Sequence, residues 1–132
     1  MMKTLKCIML VDDNPNDNFF HERVIRKCNA AELVVVRQSG MSALEYLRSE
    51  REGELRPDLI FLDINMPGMN GWEFLEKFEQ LDPISKSGLV VVILTTSENP
   101  DDRAKADEMH AGFTTKPLTP EALEEIIGTL GF

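Results

Sequence analysis

Basic residues are scarce in this sequence of 132 residues: 14 Lys plus Arg stand against 23 Asp plus Glu, a formal charge of -9. That balance opposes approach to a nucleic acid backbone or an anionic membrane surface. Cysteine is nearly absent. Cys7 and Cys28 form no Cys-x-x-Cys pair and no histidine cluster accompanies them, so nothing suggests a thiolate metal site, and both are expected to be reduced, buried thiols. No apolar run is long enough to span a bilayer. Cys7 to Val11, which follows Lys3 and Lys6, is too short for a signal peptide core and runs straight into acids. Linkers, internal repeats and low-complexity tracts are missing as well. Together these absences predict one cytoplasmic domain over residues 1–132, with no output domain and no contact with nucleic acid or membrane.

An apolar fraction of 42% is enough for one ordinary core. Short apolar runs alternate with longer amphipathic segments, the pattern of repeated βα units on a parallel sheet. The strand candidates are Leu5 to Val11, Leu33 to Gln38, Asp58 to Leu62, Leu89 to Thr95 and Gly112 to Thr115. The first, third and fourth are nearly continuous apolar runs, as central strands covered on both faces require. The first helix should start at Asn14 and Pro15 and bury Phe19, Phe20, Val24, Ile25 and Cys28. Later stripes are Ala43, Leu44 and Leu47, then Phe74, Leu75, Phe78 and Leu81, then Leu123, Ile126, Ile127 and Leu130. A helix over about Pro100 to His110 offers only Ala104, Ala106 and Met109, and is expected to be the most loosely held.

In parallel α/β sheets, ligands bind outside the carboxyl ends of the strands. The first apolar run ends in Asp12 and Asp13, the third in Asp63, the fourth in Thr95 and Thr96, and the fifth reaches Lys116. Three carboxylates brought to one edge repel one another unless a cation neutralises them. Magnesium suits them, because it takes oxygen ligands and keeps several waters, leaving room for a phosphate oxygen. A carboxylate such as Asp63 can also attack phosphorus and form an acyl phosphate. Lys116 would then balance phosphate charge and the Thr95 hydroxyl would hydrogen-bond a phosphate oxygen.

The segments IMLVDDNPND, DLIFLDINMPGMNG, VVVILTTS and FTTKP resemble, in order, the four signature blocks of response-regulator receiver domains. The resemblance spans nearly the whole chain and implies a doubly wound, flavodoxin-like (βα)5 fold of class α/β with strand order 2-1-3-4-5, the order of a chemotaxis receiver. It implies a phosphoacceptor at Asp63 and a magnesium site made by Asp13, Asp63 and the main-chain carbonyl of Asn65, with Asp12 contributing through water. It also implies a switch pair, Thr95 and Phe113, although Thr96 beside Thr95 leaves the hydroxyl assignment open, and a Lys116-Pro117 bond that can be cis. The LTTS block and the extended SEREGELRPDL loop are similar to those of small regulators that partner phytochrome-type histidine kinases.

What the resemblance implies is phosphorelay signal transduction. A sensor histidine kinase or a histidine phosphotransfer protein would donate to Asp63, and the readout would be a downstream protein or a second copy of the chain. The protein would be a phosphoacceptor rather than an enzyme acting on a separate substrate. A haloacid-dehalogenase-type phosphatase would need Asp-x-Asp where this chain reads Asp63-Ile64-Asn65. A flavodoxin would need a Ser/Thr- and Gly-rich loop where this chain reads DDNPND. A pseudo-receiver acting only as an interaction module would lack an acid, the Thr or the Lys, and all are present. His21 and His110 lack a phosphohistidine motif and are expected at the surface. Trp72 and the seven Phe residues are expected mostly to pack, and Met66 and Met69 to fill gaps beside the site.

Overall fold

The computed structural model describes residues 3–49, 56–83 and 88–130. Most of the extended loop after the second helix, and the terminal Gly131 and Phe132, lie outside these described residues. In chain order the elements are β1 (Leu5–Val11), α1 (Pro15–Lys27), β2 (Ala31–Arg37), α2 (Gly40–Arg48) and β3 (Leu59–Leu62). They are followed by α3 (Gly71–Glu79), β4 (Val90–Thr95), α4 (Pro100–Glu108), β5 (Gly112–Thr115) and α5 (Pro120–Thr129). The strands form one sheet in the order β2-β1-β3-β4-β5, and every pair is parallel, as the alternating pattern and the resemblance imply.

The continuous apolar strands are central because alternate residues feed two separate cores. Cys7, Met9, Val11, Ile60, Leu62, Val91 and Ile93 face α2 and α3, whose Leu44, Leu47, Phe74 and Phe78 cover them. Ile8, Leu10, Leu59, Phe61, Val92 and Leu94 face the opposite way and meet Ile25 of α1 with Leu123 and Ile127 of α5. Burying a side chain such as Phe61 or Phe74 is worth about 2 kcal/mol, so the two layers anchor the strand ends firmly. Cys7 is fully buried, and burial followed by the nearby Asp58 charge pushes its thiol up to about 11; Cys28 is only half-buried.

Several sequence expectations shift. β2 starts at Ala31, which pairs with Leu5, and ends at Arg37, so Gln38 lies outside it. β3 starts at Leu59 because Asp58 turns its carboxylate onto the edge of β1, accepting from the N–H of Lys6 at 2.9 Å and of Cys7 at 3.3 Å. β4 starts one residue after Leu89, at Val90.

The largest difference is the rotation of α1. Asn14 caps it as anticipated, accepting from the N–H groups of Asn16 and Asp17 ahead of a turn opened by Pro15. Its buried face, however, is Asn18, His21 and Ile25, while Phe19 is 70% exposed and Phe20 48%. Polar anchoring explains the rotation: Asn18 Nδ2 donates to the main-chain oxygen of Asp12 at 2.8 Å, which turns Asn18 and His21 inward and the two Phe rings outward. His21, expected at the surface, is 3% exposed.

α4 ends at Glu108 rather than His110, because His110 adopts a left-handed φ of 59° and stops the helix. Ala106 is its only buried residue, and Ala104 is exposed. Two cation-π contacts supplement it, Arg103 at 4.7 Å from the Phe113 ring centroid and Lys105 at 4.9 Å from that of Trp72. Among the described residues, no helix is long and apolar enough to cross a membrane.

Candidate functional site

The carboxyl ends of β1, β3, β4 and β5 meet at one edge because the parallel ladder continues just past the strands. The N–H of Asp63 donates to the oxygen of Val11 at 3.0 Å, and that of Lys116 to the oxygen of Thr95 at 2.7 Å. Asp12 and Asp63 thereby flank one another, as do Thr95 and Lys116. Asp12 and Asp63 are buried, Asp13 is more accessible, and one carboxylate oxygen from each lies within 4.8 Å of the others.

Lys116 is the counter-charge. Its Nζ donates to Asp12 Oδ2 at 2.7 Å and to Asp17 Oδ2 at 2.8 Å, and stands 3.7 Å from Asp63 Oδ2. Burial alone would lower the Lys116 pKa, yet the hydrogen bonds that Lys116 donates to Asp12 and Asp17 outweigh it and hold the ammonium above its usual range. Asp63 moves upward, to about 6. Burial is the main cause and the Asp12 charge the next, against a smaller opposing pull from Lys116 and from the Ile64 N–H, which donates to Asp63 Oδ1 at 2.9 Å. One lysine therefore leaves the acids of the pocket under-neutralised. An all-oxygen donor set with residual negative charge fits a hard divalent cation.

Thr95 is fully buried at the end of β4, with its hydroxyl accepting from the Ser97 N–H at 3.2 Å, whereas Thr96 is exposed. Ser97 in turn donates its hydroxyl to Asp102 in the first turn of α4. Phe113 is half-buried on β5 beneath Arg103. Asn65 lies in the turn after Asp63 with an exposed side chain, Met66 is buried, and Met69 and Trp72 pack on the α3-side core. The Lys116-Pro117 bond is cis.

Three further residues of the site were assigned no role from the sequence, although the first of them, Asp17, closes the quoted IMLVDDNPND block. Asp17 is held in reach of Lys116 by the first turn of α1, one helical turn beyond Asp13; that spacing was the available cue. Asn18 and His21 line a cavity of about 10 Å³ with Asp12, Asp63, Phe61 and Leu94, about the least space that one water molecule needs. Burial first, then the Lys116 charge, lowers the His21 pKa, so the ring is held neutral. Gly71 belongs to the quoted motif, and the structure supplies its reason. A Cβ there would lie 2.5 Å from the main-chain oxygen of Asp63 and 2.9 Å from Ile64 Cα. Only glycine lets the start of α3 close onto the acceptor turn, where the Gly71 N–H donates to the oxygen of Ile64 at 2.8 Å.

The response regulator receiver domain model matches residues 8–128. Rcp1, a response regulator of Synechocystis sp., is 33% identical over 114 residues, covering 84% of this chain and 76% of that protein. The Mn(2+)-bound form of Rcp1 superposes with a TM-score of 0.70 at 33% identity, covering 95% of this chain and 91% of that one. A two-component response regulator from Cytophaga hutchinsonii gives a TM-score of 0.87 at 32% identity, covering 97% and 98%. The bacteriophytochrome response regulator AtBRR gives 0.81 at 30% identity, covering 98% and 94%. The chain belongs to the response regulator receiver family. It is a signalling protein of the phosphorelay class, with an acidic trio that fits the divalent metal such domains bind.

Proposed function

We propose that Asp63 is the phosphoryl acceptor, that Lys116 and Thr95 serve the phosphoryl group once it is in place, and that Phe113 with Thr95 relays its arrival. The observation that carries this reading is the charge arrangement: a buried carboxylate faces two more acids within 4.8 Å and one lysine at 3.7 Å. A carboxylate oxygen of Asp63 attacks phosphorus while the P–N bond of a donor phosphohistidine breaks, leaving its electron pair on the imidazole nitrogen. The chain thus modifies its own side chain and turns over no separate substrate. Asp12, Asp13, Asp63 and the main-chain carbonyl of Asn65 would hold Mg2+, which when bound supplies the neutralising charge that an incoming phosphoryl group requires.

In the phosphorylated protein, the Thr95 hydroxyl exchanges its bond from Ser97 for one to the phosphoryl oxygen. Its buried place at the end of β4 favours Thr95 over the exposed Thr96. Phe113 then repacks, and because Arg103 stacks on that ring, the displacement reaches α4. The donor is a sensor histidine kinase or a histidine phosphotransfer protein, a reading that the likeness to the response regulators Rcp1 and AtBRR supports.

Acetyl phosphate with magnesium tests the assignment, with intact mass as readout. The wild type should gain one phosphoryl mass, lost on chelation before the reaction, while Asp63→Asn should gain none. A wild type that stays unmodified, or an Asp63→Asn protein that is labelled equally, would overturn the reading.

A further inference from the structure

Lys116 is shared among three carboxylates, and only two of them belong to the family constellation. The third, Asp17, makes a bond to Nζ of 2.8 Å, almost as short as that of Asp12, while Asp63 is left at 3.7 Å. Asp17 reaches the lysine because Asn14 caps α1 through the Asp17 N–H, and because Asn18, the next residue, ties the helix to the Asp12 main chain. The pairing is therefore built by two contacts of the first helical turn. The Asp17 side chain is 36% exposed and the Lys116 side chain 10%, so Asp17 draws the ammonium toward the rim of the pocket while Asp12 holds it from within.

We propose that Asp17 is a positioning residue that holds Lys116 away from Asp63 in the unphosphorylated protein, so that its charge sets how readily the lysine turns to an incoming phosphoryl group. The inference rests on the phosphoacceptor reading above. Lys116 has three ammonium hydrogens, two of which are spent on Asp12 and Asp17. A phosphoryl group on Asp63 must recruit the lysine in competition with Asp17, and that competition weakens retention of an anionic phosphoryl group. Asp17 is a brake on occupancy of the acceptor site.

The test uses beryllofluoride, a phosphoryl mimic that binds carboxylates without covalent transfer from a donor, with the intact chain and saturating magnesium. Asp17→Asn should bind beryllofluoride about five- to tenfold more tightly than wild type, a modest factor because the pair is partly solvated. Asp17→Glu should return affinity toward the wild-type value. Magnesium affinity, measured separately by titration, should stay within about twofold in Asp17→Asn, since the carboxylate acts through the lysine. In a Lys116→Ala background the gain from Asp17→Asn should shrink to about twofold or less, which a merely structural change in α1 would not produce. Equal or weaker beryllofluoride binding by Asp17→Asn, a persisting full gain without Lys116, or a magnesium affinity that moves in step would overturn the proposal. A wild type that binds no beryllofluoride would instead overturn the phosphoacceptor reading and the proposal with it.

Discussion

Gly71 sits against the main chain of Asp63, so close that even a methyl group would stand 2.5 Å from the Asp63 carbonyl oxygen. The obstruction is backbone on both sides, and no flexible side chain can yield. Gly71→Ala should therefore displace the acceptor turn, lowering stability by about 1–3 kcal/mol in urea unfolding and slowing phosphorylation by acetyl phosphate at least severalfold. Wild-type kinetics in this variant would show that the turn is not rigidly positioned.

The carboxyl group of Asp63 gives a pH signature. It titrates at about 6 in the folded chain against about 4 when unfolded. The folded state binds the extra proton between those values, so this group's contribution to stability is full below about pH 4 and lost as pH rises through 6. Asp63→Asn cannot ionise. Without divalent ions it should exceed wild type by about 3 kcal/mol at pH 7, with the difference gone by pH 4. Parallel stability profiles for the two proteins would contradict the raised pKa.

Relief of the same repulsion by a cation should appear as heat resistance. Magnesium at about one hundred times its dissociation constant would stabilise the fold by about 2.7 kcal/mol. Thermal melts should rise on its addition and fall back with chelator, and Asp13→Asn should abolish most of the rise while leaving the metal-free melt nearly unchanged.

Arg103 and Lys105 clamp α4 on Phe113 and Trp72. Truncating either to Ala should cost about 0.5–1 kcal/mol locally. Hydrogen exchange should accelerate across residues 100–108 while the global unfolding midpoint barely moves, since α4 contributes one residue to the core. Uniform acceleration over the whole chain would indicate that α4 is integral to the cooperative fold.

Asn18→Ala should cost about 1–2 kcal/mol through loss of the bond to the Asp12 carbonyl. It should also release the rotation of α1, detectable as a change in fluorine resonances placed on Phe19 and Phe20.

The parallel sheet was legible because its central strands read as nearly continuous apolar runs whose alternate residues serve two cores, while its strand order followed from the resemblance of the motif blocks to receiver domains. Asp12, Asp13, Asp63, Thr95 and Lys116 all come to the edge where such runs must stop. The face of α1 was not legible. Phe19 and Phe20 look like core by hydropathy, yet a hydrogen bond from Asn18 to a strand end outweighs their preference for burial, and no periodicity encodes that. His21 is buried by the same rotation. Asp17 was missed for a related reason: its partner lies 99 residues away and becomes a neighbour only after β5 closes the sheet.

The seat of α4 has an energetic consequence. One buried alanine and two cation-π contacts amount to about 2–3 kcal/mol of side-chain attachment. A gap of that size would leave on the order of one molecule in a hundred with the helix off its seat at room temperature. Relaxation dispersion over residues 100–108 should register that background. Under the proposed switch, phosphorylation would enlarge a population that the resting protein already holds.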